Sequence, residues 1–215
     1  MPAPATGSGP TTQAAPAEAE TQRSRAKSDR RTQLIAAAER LIAERGYLAV
    51  RLEDIGAAAG ISGPAIYRHF PNKEALLVEL LVSISARLHA GGRAVVAGTD
   101  GPTEALAGLI EFHLDFALNE SDLIRIQDRD LNNLPDPAKR QVRRSQRQYV
   151  EIWVDILRKL DPTRTEGEAR TMAHAAFGLL NSTPHSVQAG GARRTADSSR
   201  AVLRAMTVAA LAPSR

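Results

Sequence analysis

Cysteine is absent from this 215-residue chain. That excludes a disulfide framework and a thiolate metal site. Aromatic residues are scarce, at 4%, although 43% of the chain is apolar. Alanine and leucine must therefore supply most of the core, which favours helices over sheets. No apolar run approaches the length needed to cross a bilayer, and the N-terminus lacks the hydrophobic segment of a secretory signal. The expectation is a cytoplasmic protein with no membrane partner. Also missing are a Gly-x-Ser-x-Gly turn, a phosphate-binding glycine loop and a recognisable pair of catalytic carboxylates. Asp128 and Asp130 flank Arg129 and read as surface or ion-pair residues. No catalytic residue is nominated, and an enzyme is not expected. The five histidines, His69, His89, His113, His174 and His185, never pair at helical spacing. No metal and no cofactor is expected.

What is present is mostly helical periodicity. Residues 1–28 are rich in Ala, Pro, Thr and Gly, with no large apolar residue after Met1. Such a segment cannot offset its ordering entropy by burial, so disorder is expected there. Arg23, Arg25, Lys27, Arg30 and Arg31 then crowd together, as a solvated helix approach or as an arm that touches DNA. From Arg30 to Arg45, Leu34, Ile35, Ala38, Leu41 and Ile42 fall at helical spacing, and Gly46 stops the helix. A short helix over 52–59 has Glu53 and Asp54 in its first turn. Gly60 ends it.

Next comes "GISGPAIYRHFPNKEALLVELL", from Gly60 to Leu81. Ser62 is a good N-cap, Pro64 is tolerated in a first turn, and Pro71 closes the piece. Asn72 caps a long helix that Gly91-Gly92 should end. Two helices joined by a short glycine-containing turn form a helix-turn-helix, whose second helix enters the major groove. Ile55, Ala59, Ile61, Ile66 and Phe70 would bury its back. Tyr67, Arg68 and His69 would be left facing DNA.

Further helices are expected over 102–119, 122–130, 136–160, 165–182 and 196–211. On the first of these, Leu106, Leu109, Ile110, His113, Leu114 and Ala117 share a face. His113 reads either as a hydrogen-bonded core residue or as a ligand contact. The scarce aromatics Phe112, Phe116, Tyr149, Trp153 and Phe177 are core packing or the wall of an apolar pocket. His113, Gln127, Arg129, Asn181 and His185 are its polar candidates. The run "KRQVRRSQRQY" holds Lys139, Arg140, Arg143, Arg144 and Arg147. It reads as a solvated helix face, a second DNA surface, or a patch for an anionic ligand such as the phosphates of an acyl-CoA.

Residues 31–81 resemble the DNA-binding domain of the tetracycline-repressor (TetR) family of bacterial regulators. The resemblance rests on "AAERLIAERGY", "LEDIGAAAGIS" and "AIYRHFPNKEALL", and on the run Tyr67, Phe70, Lys73, Leu76. It implies an all-α homodimer, with a three-helix DNA-binding domain over 29–75 and a ligand-binding and dimerisation domain over 76–215. It implies repression at a near-palindromic double-stranded DNA operator, relieved by a small-molecule effector. The C-terminal half is faintly similar to actinobacterial members linked to acyl-CoA breakdown, which suggests an acyl-CoA or another apolar metabolite. By the same resemblance Tyr67, His69 and Lys73 face phosphates, while Gly63, Pro64, Ala65 and Arg68 approach bases beside Ser62. Arg68 could read guanine or clamp a phosphate. Arg51 departs from the usual Thr or Ser before the second helix; it cannot cap, but it can reach a phosphate. Gly56 stands where Ala is common, which points to a close helix crossing. The competing reading is a helical binding protein that regulates nothing.

Overall fold

The computed structural model describes residues 15–182 and 192–212. Among them are nine α-helices, one 3-10 turn and no strand. In chain order they are α1 (Ala15–Arg45), α2 (Leu52–Ala58), α3 (Gly63–Ile66), α4 (Lys73–Ala97), α5 (Pro102–Asn119), α6 (Ser121–Asp130), α7 (Asp136–Leu160), α8 (Glu166–Leu180) and α9 (Ala192–Leu211).

The expected disorder does not extend to residue 28, because α1 begins at Ala15. Residues 17–45 contain neither proline nor glycine and are rich in Ala, Glu, Arg and Gln. Nothing in that stretch breaks a helix once one has nucleated. Gly46 and Gly60 close α1 and α2 with φ of +87° and +68°. Only glycine adopts those angles without strain.

The expected stop at Gly91-Gly92 is wrong. Helix α4 passes straight through both residues. A Cβ on Gly91 would lie 2.2 Å from the Phe112 ring, and one on Gly92 would lie 2.6 Å from Tyr149. These glycines give α5 and α7 close approach to α4 rather than ending it. Gly56 does the same in miniature, since its Cβ would meet the Ile61 carbonyl at 3.3 Å.

Two cores result. The first joins α1, α2, α3 and the start of α4 around Leu34, Ile42, Ile55, Ile66, Phe70 and Leu77. It continues into Leu123 and Ile126 of α6 and Val142 of α7, well past the expected boundary at 75. The second packs α5, α7, α8 and α9 around Trp153, with Leu109, Ile110, Leu157 and Leu180. Helix α4 bridges the two. By length and composition alone it could cross a bilayer, contrary to the expectation from the sequence. Its Leu76, Leu77, Leu80, Leu81 and Ile84 are buried against the rest of the protein.

Candidate DNA-binding head and ligand cavity

Helix α3 is a single turn, shorter than the expected 62–69 piece, and Tyr67–His69 complete it as a turn. Ser62 occupies the N-cap position with extended backbone, but its side chain makes no capping bond. Ile55, Ile66 and Phe70 are fully buried, and Ala59 and Ile61 are partly so. Pro64, Tyr67 and Arg68 project outward, while Gly63 and Ala65 are half-exposed. The expected burial of the back of α3 therefore holds, and a short rigid turn is held out from the body.

Polar pins fix that turn. Arg31 forms an ion pair with Glu79 of α4, its Nε 2.7 Å from Oε1. Its Nη1 donates to the His69 carbonyl at 2.6 Å, and its guanidinium stacks over Phe70. So Arg31 is a brace between α1, α3 and α4 and not part of a free arm. Lys73 Nζ donates to the carbonyls of Tyr47 (2.7 Å) and Val50 (2.8 Å) and lies over the Tyr47 ring. Two of its three donors therefore tie α4 to the loop before α2. Only the third remains for a phosphate.

Arg51 precedes α2 and has no acceptor to offer it. Asp54 supplies the reciprocal half of the cap, taking the Arg51 N–H at 3.0 Å. The Arg51 side chain is left exposed. The Tyr67 hydroxyl donates to Glu53, which raises the phenol's pKa and lowers the carboxyl's. His69 is half-buried; burial first, and then Arg31, Lys27, Arg30 and Arg68, hold its pKa down. A neutral imidazole ringed by cations can still donate an N–H to a phosphate, and the surrounding charge attracts one.

The second feature is a cavity of about 210 Å³ between α4, α5, α6, α7 and α8. Of the expected pocket residues, His113, Phe116, Gln127, Tyr149, Phe177 and Asn181 line it. His113 is its buried centre. The His113 ring stacks on Tyr149 with centroids 5.8 Å apart and lies 5.0 Å from Phe177. Its Nδ1 is 3.1 Å from the Tyr149 hydroxyl, and its Nε2 is 3.0 Å from Asn181 Oδ1. The arrangement is a chain: Tyr149 O–H donates to Nδ1, and Nε2–H donates to Asn181. Burial depresses His113 to a pKa of about 4, outweighing the opposing Asn181 bond. Burial also raises the Tyr149 phenol. The triad is neutral at physiological pH. It offers hydrogen bonds without charge, so His113 is both core residue and pocket contact.

Three expected pocket residues, Phe112, Trp153 and Arg129, stand elsewhere. Phe112 lies against Gly91 in a separate groove between α4 and α5. Trp153 is fully buried beneath the cavity wall, in edge contact with His113. His185 falls outside the described residues. Ser85, Leu88, Ile124, Gln146, Val150 and His174 also line the cavity, and none of them stands out in the sequence as a pocket residue. The signal that points to them is spacing. Gln146 lies three residues before Tyr149 and His174 three before Phe177, which puts each pair on one helix face. Ser85 is a polar residue in the apolar stripe of α4. Of the two expected readings of Asp130, the ion pair is the one observed: it is buried and held by Arg129 at 3.0 Å. Arg129 also donates to the Ile42 carbonyl, tying α6 to the end of α1.

A helix-turn-helix head joined through one long helix to an all-helical, cavity-bearing body defines a one-component regulator fold. The chain belongs to the tetR family of bacterial regulatory proteins: residues 34–80 match its N-terminal domain, and residues 99–208 match the tetracyclin repressor-like C-terminal domain. The chain is 32% identical over 133 residues to the HTH-type transcriptional repressor KstR2 of Mycobacterium tuberculosis, covering 60% of this chain and 66% of that protein. The solved structure of the ketosteroid regulator KstR2 of Mycobacterium tuberculosis superposes with a TM-score of 0.74 at 24% identity, covering 86% of this chain and 96% of that one. AibR, solved with isovaleryl coenzyme A and operator DNA, superposes at 0.70 with 18% identity, covering 82% and 97%.

Proposed function

We propose that this protein is a transcriptional repressor that binds a near-palindromic operator as a homodimer and is released by a small molecule, an acyl-CoA or another apolar metabolite. It acts in the cytoplasm, with residues 29–75 as the DNA-binding unit and 76–215 as the ligand-binding and dimerisation unit. The observation that carries this reading is the double duty of α4. Leu76, Leu77 and Leu81 lock it into the core of the head, while its Ser85 and Leu88 line the cavity. A molecule that reshapes the cavity wall acts on the same rigid rod that sets the position of α3.

An exposed apolar face supports the dimer. Val202, Met206 and Val208 of α9 are about half exposed, beyond what a solvated helix needs. On α8, Gly167 and Gly178 have open space where a Cβ would stand, so a partner helix can approach closely there. Two heads related by a two-fold axis would enter major grooves about 34 Å apart, one turn of DNA. The effector must bind the released state more tightly than the DNA-bound one, since equal affinity shifts nothing.

The test is a binding-site selection from random DNA with the purified protein, followed by affinity measurements on the selected site. An inverted repeat should emerge. Arg68→Ala should then weaken binding by about 1–3 kcal/mol. A loss confined to one base position identifies guanine readout, and a uniform loss identifies a phosphate clamp. If no repeat is enriched by folded dimer, or if Tyr67→Ala and Arg68→Ala both bind like the parent, this reading fails.

A further inference from the structure

The early residues of a recognition helix are the ones that face base edges. In α3 these are Gly63, Pro64 and Ala65, and none has a polar side-chain atom. They cannot read a code of donors and acceptors. Two polar side chains stand beside them. Ser62 has a hydroxyl that caps nothing, and a hydroxyl pairs with donors and acceptors alike. The other is Glu53, which comes from α2.

Glu53 is exposed and lies against the outward face of α3. A Cβ on Gly63 would meet Glu53 Cγ at 3.7 Å, an ordinary van der Waals contact. Glu53 thus flanks the place where a side chain of Gly63 would stand. One turn along the same face, the Tyr67 hydroxyl donates to Glu53 Oε1 and orients the carboxylate. That bond first, and then a backbone bond and Arg51, hold the carboxyl below its ordinary pKa. It stays charged. An acidic residue in the first turn helps α2, but Asp54 is already there to do so. Beside DNA a negative charge is costly, because phosphates repel it while the cations around His69 attract them.

What offsets that cost is a donor on the DNA, since an ionised carboxylate can only accept. In the major groove two base groups donate, the N4 amino group of cytosine and the N6 amino group of adenine. The adenine group lies between two acceptors, its own N7 and the O4 of the paired thymine. The cytosine group has guanine O6 on one side and an apolar C5–H on the other. A carboxylate therefore meets less repulsion at cytosine.

We propose that Glu53 is a specificity-determining residue of the operator complex, and that its carboxylate accepts from the N4 amino group of one cytosine in each half-site. Tyr67 has a single hydroxyl proton and uses it on Glu53, so it is the positioning residue for this contact. This inference rests on the operator-binding repressor reading and adds to it a base that the operator must contain.

The test is the selection from random DNA, run in parallel on the parent, Glu53→Gln and Glu53→Ala. Titrations of the selected site and of its single-base changes follow. In the parent one position of each half-site should require cytosine, with the other bases binding about tenfold or more weakly. Glu53→Gln should move that position to adenine, because a glutamine amide pairs with adenine N6 and N7. Glu53→Ala should bind all four bases alike there. Both variants should bind non-cognate DNA more tightly than the parent, because a negative charge is removed. Specificity falls while general affinity rises, which a purely structural role for Glu53 would not produce. Cooperative melting of both variants shows that they fold. Tyr67→Phe should lower discrimination at the same position and nowhere else, and a uniform loss across sequences overturns its positioning role. Variants that keep the parent's base preferences overturn the proposal, as does a parent with no position that requires cytosine. An inverted repeat whose sequence is indifferent to Glu53 sinks only this assignment, while no repeat sinks the repressor reading with it.

Discussion

In the head, polar side chains are used as pins. Lys73 holds the Tyr47 and Val50 carbonyls, and Arg31 holds Glu79 and the His69 carbonyl. The hydrophobic side chains beneath them, Phe70 and Ile66, have no exposed surface at all. In the body, by contrast, the polar chain of Tyr149, His113 and Asn181 faces a space, and half-buried Phe116 and Phe177 wall it. The head has to present Arg68 and Tyr67 in one geometry, so it is filled and braced. The body has to accept a guest, so it keeps room and neutral donors. What joins them is α4, pinned at its first residue and lining the cavity three turns later.

The largest expected effect tests whether the head is the more tightly filled region. Phe70→Ala should cost about 3–5 kcal/mol in denaturant unfolding, by lost burial plus the cavity left behind. Phe116→Ala, at a wall that already borders empty space, should cost clearly less. Equal costs would break the contrast.

Next in size is a pH effect confined to the body. His113 has a folded pKa of about 4 against an ordinary 6.5. Between those values the unfolded chain binds the proton and the folded one does not. Stability from this group is therefore complete above pH 6.5 and falls as pH drops toward 4, by about 3 kcal/mol in all. Unfolding curves at pH 7 and pH 5 should show the loss in the parent. His113→Asn should reduce that difference while being less stable at pH 7. A parent whose stability is flat between the two pH values would mean that His113 is solvated in the folded state.

The smallest effect sharpens the picture of the head. Arg51→Ser supplies the missing N-cap acceptor for α2 and should stabilise the protein by about 1 kcal/mol. It should also weaken operator binding and reduce the slope of log affinity against log salt by about one, if Arg51 meets a phosphate. A variant that gains stability with no change in that slope removes Arg51 from the DNA surface.

Much of the head is legible in the amino-acid sequence. Its signals are local: glycine at left-handed turns, Asn72 accepting from Ala75 N–H at 2.7 Å, and apolar residues at helical spacing. Where local signals mislead, the reason is a distant partner. Gly91-Gly92 has the composition of a stop, yet its role is to admit the Phe112 and Tyr149 rings, which lie 20 or more residues away in the chain. Arg31 belongs to a basic cluster in the sequence, and only the approach of Glu79 makes it a brace.

Local sequence thus dictates the helices, most of their limits, the family of the head and the identity of its projecting residues. Each of those follows from backbone preferences and periodicity within about twenty residues. Packing alone decides which aromatics frame a cavity and which fill a core. It puts Phe112 and Trp153 outside and brings in Ser85, Gln146 and His174. It also makes His113 neutral, because its pKa is set by burial among α5, α7 and α8. Burial and pairing depend on which helices meet, and that depends on contacts between segments far apart in the chain.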